Sequence, residues 1–306
     1  MNYVNVLLFG STSRLGFLFL KSLSKKDKLN IIAFIRPCPD NELSRKNRNV
    51  FDEQITSYKA IHYEADDDLL VKVNEQISAF KGQKIVLVNL STYDYLNVVH
   101  VCQDTGIPSF AIGSGAVIDW SAKRMNMNGY IEKKLRSERE YTTTVHPGFY
   151  LEDTGKDSPF SWSGLHTETY SWIFQKQFDK EMSWGKEKFM TSMSGLIELI
   201  KKWTQLITDD DINKKLPLFN RHFAFGTGRA YPRWFLRKCS GLPVEERIEH
   251  EHPFGNYYSE EMRKTKEAFK INLFHEEAFE TSCKTAREWA ECHSEELSAF
   301  VKLSQE

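Results

Sequence analysis

The stretch that most constrains the fold is residues 4–20, VNVLLFGSTSRLGFLFL. Six mostly apolar residues, Val4–Phe9, stop at Gly10, and a short polar run leads to Gly16. Leu15, Phe17, Leu18, Leu20 and Leu23 then recur at helical spacing, so the segment reads as a buried strand, a tight turn and a helix. Gly10 can take backbone angles closed to residues with a Cβ, and Gly16 lets the helix lie close on the strand. The N–H groups and positive dipole end of that helix face outward at the strand's carboxyl end, where a dinucleotide pyrophosphate could sit. The pattern is Gly10-x-x-Ser13-x-x-Gly16, with serine in place of the usual middle glycine, and it carries weight only within a βαβ unit.

That unit is present. Leu29–Ile35 (LNIIAFI) is a second apolar strand, which closes a βαβ unit of about 30 residues. Further strands are read at residues 58–63, 83–90, 107–112 and 142–146, with helical stretches at 93–105 and 130–141 and a short helix after the polar loop that starts at Asp40. Near-continuous apolar strands alternating with helices imply a parallel sheet covered on both faces. Beyond residue 150 the alternation stops. Helices are read at 190–207, 232–239, 260–269 and 276–296, with a short strand at 223–225. The expected fold class is α/β: a Rossmann-like doubly wound parallel sheet over residues 1–153, with a smaller, mostly helical substrate-binding region over 154–306 that can return one strand to the main sheet.

Composition excludes several functions. A formal net charge of −1 lacks the strong basic field of a general nucleic-acid binder, and no apolar run approaches the roughly 20 residues of a membrane span. The first ten residues serve better as strand one than as a leader, and five cysteines without CxxC spacing fit a reduced, cytoplasmic setting without structural zinc. His250-Glu251-His252 lacks a third ligand in view, so no metal site is assigned. Aromatic residues crowd the second half, where they line a pocket or, as is commoner, fill the core.

The second strand ends at Arg36, where a chain preferring NAD would present an acid to the ribose hydroxyls; a guanidinium suits a 2′-phosphate. Arg14 within the glycine turn could reach the same phosphate. The alternative is that both are solvated surface charges. NADP(H) is therefore the preferred cofactor, with NAD(H) left open. Ser114 follows a central strand, and Tyr130-x-x-x-Lys134 places a cation one helical turn from a phenol. A neighbouring cation stabilises a phenolate and makes the hydroxyl a usable proton donor or acceptor, while a serine hydroxyl can bond the substrate oxygen where charge develops.

At these residues the chain resembles the short-chain dehydrogenase/reductase superfamily, in particular the extended and atypical branches that include sugar-nucleotide epimerases. The resemblance rests on Gly10-x-x-Ser13-x-x-Gly16, Arg36, Asp66 after strand three, Ser114, Tyr130-x-x-x-Lys134, and Thr144-Val145-His146-Pro147-Gly148-Phe149-Tyr150 after strand six. It implies catalysis by Ser114, Tyr130 and Lys134. It implies a cofactor-binding set of Gly10, Thr12, Ser13, Arg14, Leu15, Gly16, Arg36, Asp66, Asp67, Asn89, Leu90, Ser91, Tyr130, Lys134, Pro147, Gly148 and Phe149. Within it, the acid after strand three contacts adenine and the proline segment borders the nicotinamide. Ser13 brings a side chain towards the pyrophosphate, His146 replaces a common arginine, and Asn89-Leu90-Ser91 replaces smaller residues. The expected function is an NADP-dependent reductase or dehydrogenase acting on a carbonyl/alcohol pair of a bulky small molecule. The alternatives are an epimerase or dehydratase that retains NAD(P), and a non-catalytic NADP-binding redox sensor. No nucleic-acid or membrane partner is expected; a homodimer is the family-level expectation.

Overall fold

The computed structural model describes residues 3–55, 58–64, 66–91, 98, 101, 104–113, 118–119, 124–125, 142–156, 158, 164–175, 187–208, 221–226, 231–244, 255–269, 271 and 276–303. In chain order the first half carries β1 (Val4–Phe9), α1 (Arg14–Lys21), β2 (Leu29–Ile35), α2 (Glu42–Gln54), β3 (Lys59–His62), α3 (Leu69–Ala79), β4 (Lys84–Asn89), β5 (Ser109–Ile112), β6 (Ile118–Asp119), β7 (Arg124–Met125) and β8 (Thr142–Pro147). There follow β9 (Phe149–Leu151), α4 (Gly164–Phe174), β10 (Glu187–Lys188), β11 (Met190–Ser192), α5 (Met193–Thr208), β12 (Arg221–Phe225), β13 (Tyr231–Pro232), α6 (Arg233–Cys239), α7 (Gly255–Phe269), α8 (Glu276–Cys292) and α9 (Ser294–Leu303). None of the described helices is long and apolar enough to cross a membrane.

Seven strands form the main sheet, in the order β12-β8-β5-β4-β1-β2-β3. The pairings from β3 through β8 are parallel. The chain runs outward from β1 through β2 to β3, then returns to β4 on the other side of β1. The switch in winding direction therefore lies between β1 and β4, which brings the Gly10 turn to the place where doubly wound sheets bind ligands. Every residue of β1 is buried, as a strand covered on both faces requires.

One face of the sheet is held by Leu7, Phe9, Ile32, Phe34, Tyr63 and Leu87, together with Leu69 and Val73 of α3 and with Val98 and Val101. Phe9 and Phe34 stack with centroids 4.4 Å apart, and Tyr63 meets both edge-on. Truncation of Phe34 to alanine removes the middle of this stack and is expected to cost about 3–5 kcal/mol. Equilibrium denaturation checks this; an unchanged midpoint would mean that the stack contributes nothing to stability.

The chain divides into two compact units: residues 1–119, 124–146 and 197–223, and residues 120–123, 147–196 and 224–306. Residues 197–223 thus belong with the sheet. Within that first unit Trp203 donates through Nε1 to Thr143 Oγ1 at 2.9 Å and packs on Phe110. Lys201 Nζ donates to Ser22 O at 2.6 Å.

In the second unit β9 pairs parallel with β11, and β10 pairs antiparallel with β13. Tyr170 meets Trp289 edge-on, and Tyr231 stacks on both Phe235 and Phe279. Tyr170, Trp172, Tyr231, Phe279 and Trp289 are all buried, so these aromatic residues fill the core. Two helices read as continuous from the sequence are divided. Residues 190–192 form β11 because Thr191 Oγ1 donates to Phe225 O and accepts from Gly148 N, both at 2.7 Å. Helix α5 then starts where Ser192 Oγ accepts from Gly195 N and the Asp153 carboxylate accepts from Ser194 N. Residues 276–296 break at His293, whose ring packs on Trp289 with Nε2 3.3 Å from Ser158 O.

Candidate functional site

The glycine turn is built by close approach of backbone to backbone. Gly10 has φ +75°, and a Cβ there would lie 2.5 Å from the carbonyl carbon of Leu90. A Cβ on Gly16 would lie 2.1 Å from Gly10 O and 2.7 Å from Ser11 Cα. Ser13 is the N-cap of α1: its hydroxyl donates to Gly10 O at 2.7 Å and accepts from Gly16 N at 3.1 Å. Its side chain is thus occupied by the turn itself, and one of the helix's orphan N–H groups is satisfied. Thr12 is half-buried beside it, and Leu15 is buried in the core.

The neighbouring strand end completes a cradle. Phe9 is registered against Asn89, and Leu90 N donates to Phe9 O. Asn89 Oδ1 accepts from Ser91 N at 2.9 Å. Asn89 Nδ2 and Ser11 Oγ, both buried, have no hydrogen-bond partner among the described residues. A buried donor or hydroxyl left without a partner costs about 1–3 kcal/mol, and two such groups lie beside the N-terminus of α1. Sequence reading included Asn89 and missed Ser11, although Ser11 directly follows the turn glycine.

No family model matches the chain, and no curated protein sequence matches it. Solved structures do match. A UDP-glucuronic acid 4-epimerase from Bacillus cereus superposes with TM-score 0.57 at 10% identity, covering 94% of this chain and 99% of that one. An L-threonine dehydrogenase from Clostridium difficile superposes with TM-score 0.58 at 11% identity, covering 95% and 99%. The thiolation-reductase di-domain of an archaeal non-ribosomal peptide synthetase gives TM-score 0.58 at 11% identity, covering 98% of this chain and 77% of that one. The fold is the one that these epimerase, dehydrogenase and reductase structures share. The likeness agrees with the resemblance carried by the motifs, and at such identities it is one of architecture.

The end of β2 is cationic. Arg36 is half-buried, and its carbonyl accepts from Arg48 Nη2 of α2 at 2.8 Å. Arg48 is half-buried as well, and sequence reading missed it because it lies in a charged helix that reads as solvated surface. Arg14 is buried at the first position of α1, a helix with no acid in its first turn. Its charge adds to the positive end of the helix dipole, an arrangement that favours an anion. The alternative that Arg14 is a solvated surface charge does not hold, because Arg14 is buried.

The three aspartates after β3 divide their work. Asp67 accepts from Glu64 N at 2.6 Å and pairs with Lys72 at 3.2 Å; these bonds hold its carboxyl below the usual range. Asp68 caps α3 by accepting from Leu70 N and Val71 N. Asp66 is exposed.

Ser114, Tyr130 and Lys134 lie outside the described residues, as do His250, Glu251 and His252. The approach to Ser114 is described: Gly113 N donates to Val145 O at 2.8 Å, and the ring of the fully buried His146 lies against Gly113. His146 is thus a packing residue under the end of β5. Pro147 is buried, Gly148 N is bonded to Phe225 O and Thr191 Oγ1, and Phe149 N donates to Phe189 O at 2.7 Å.

Proposed function

We propose that the chain is an NADP(H)-dependent oxidoreductase that interconverts a carbonyl and an alcohol on a bulky small molecule. The observation that carries this reading is the pair of unsatisfied buried groups, Ser11 Oγ and Asn89 Nδ2, at a glycine turn that no side chain can fill. The cofactor would be held by the Gly10 to Gly16 turn, Ser11, Asn89 and Asp66. Arg36, Arg14 and Arg48 would supply the cationic surroundings of a 2′-phosphate. When bound, the cofactor supplies or accepts a hydride. Tyr130 moves the proton at the substrate oxygen, Lys134 lowers the tyrosine pKa and holds the ribose, and Ser114 orients that oxygen. The UDP-glucuronic acid 4-epimerase structure is a complex with NAD, whereas the arginines here favour the phosphorylated cofactor.

The test is fluorescence titration of NADPH and NADH into wild type and Arg36→Ala. Loss of one charge-assisted bond of about 1.5–3 kcal/mol is expected to weaken NADPH about 10- to 150-fold and to leave NADH within a few-fold. Equal weakening of both, or tighter NADH binding by wild type, overturns the preference. NADPH consumed stoichiometrically with product supports a reductase; turnover without net consumption supports an epimerase.

A further inference from the structure

Helices α6 and α8 of the second unit pack together, and each carries a cysteine at their contact. Cys239 is the last residue of α6 and Cys283 lies within α8, and each thiol shifts the titration of the other. The surrounding backbone pins the two together. Ser240 Oγ donates to Leu236 O at 2.8 Å and lies 3.2 Å from Cys283 O, and Arg287 Nη1, one turn beyond Cys283, donates to Ser240 O at 3.2 Å. Cys239 is half-buried and Cys283 buried. The Cys283 S–H beside it holds the Cys239 thiol below its ordinary value, and Lys238 and Lys284 act in the same direction. Cys283 is pushed well up by the same contact and by burial. Cys38 is half-buried and Cys292 exposed, and neither has a second thiol beside it among the described residues. Accessible, thiolate-prone cysteine next to a resolving thiol is the arrangement that oxidises selectively and reversibly.

We infer that Cys239 and Cys283 form a reversible oxidation site for hydrogen peroxide, with Cys239 as the nucleophile and Cys283 as the resolving thiol. The Cys239 sulfur attacks one peroxide oxygen; the S–O bond forms, the O–O bond breaks, and the departing oxygen leaves as water with the Cys239 proton. The Cys283 sulfur then attacks the sulfenic sulfur. The S–S bond forms, the S–O bond breaks, and the hydroxyl leaves as water with the Cys283 proton. Two thiols lose two electrons in total, and the peroxide receives both. A dithiol reverses the step by exchange.

The test treats the folded full chain with micromolar hydrogen peroxide, blocks remaining thiols and maps the peptides without reduction. The expected product is a peptide pair linked through Cys239 and Cys283 that dithiothreitol separates. A Cys283→Ser variant should accumulate sulfenic acid at Cys239, captured by dimedone at several times the wild-type yield. Oxidation of Cys38 or Cys292 while Cys239 stays free overturns the site, as does wild-type Cys239 that reacts with dimedone and never links. Should Cys283→Ser fail to fold, Cys239→Ser at the half-buried position decides: Cys283 left unmodified supports the roles, and oxidised Cys283 reverses them.

Discussion

Replacement of Gly16 by alanine is expected to cost about 3 kcal/mol or more and to abolish the rise in melting temperature that the proposed binding of NADPH would give. The added methyl would sit 2.1 Å from Gly10 O and 2.7 Å from Ser11 Cα and O, all of them backbone atoms. Backbone cannot rotate away as a flexible side chain does, so α1 must shift from the end of β1. That shift also breaks the Ser13 cap, because Ser13 Oγ bridges Gly10 O and Gly16 N. Gly106→Ala is the control. Gly106 has a positive φ, +63°, unlike the helical Gly16, but a Cβ there meets nothing within 4 Å. Its alanine variant should lose only the backbone preference, about 1–2 kcal/mol, and keep the NADPH response. Equal behaviour of the two variants in thermal unfolding with and without NADPH would show that the close approach at Gly16 has no part in binding.

The sheet was legible because its strands are buried on both faces. VNVLLF, LNIIAFI and KIVLVN are almost wholly apolar, and apolar runs between helical stretches leave few other arrangements. Divisions made by tertiary contacts were not legible. Nothing local stops a helix at residues 190–192; the bonds from Thr191 to Gly148 and Phe225, remote in sequence, make that segment a strand. The break at His293 likewise depends on Trp289 and Ser158 rather than on glycine or proline.

In the candidate site, the glycines and Asn89 could be read from the motif, since their chemistry is that of the backbone turn. Ser13 was read as a group directed at the pyrophosphate, whereas serine before a helix is also the commonest cap, and its hydroxyl serves that bond. Arg48 escaped notice because a guanidinium in an amphipathic helix carries no sequence mark of the strand end it reaches. Only the hydrogen bond to Arg36 O reveals it.

Conversion of Tyr130 to phenylalanine is expected to lower kcat by about 10²- to 10⁴-fold while NADPH affinity stays within a few-fold of wild type. The change removes one oxygen and leaves the ring, so a loss confined to turnover identifies proton transfer at that oxygen. Lys134→Ala should differ in kind. On the proposed roles, loss of the ammonium would raise the tyrosine pKa, so residual activity should shift to higher pH, and NADPH should bind less tightly because the ribose would lose a donor. The pair of variants thus separates the two roles: one loses chemistry alone, the other loses chemistry and affinity together. Wild-type rates in Tyr130→Phe would remove the proton-transfer role and leave the cofactor site of a binding protein. A pH profile unmoved in Lys134→Ala would sever the lysine from the tyrosine and confine it to the ribose.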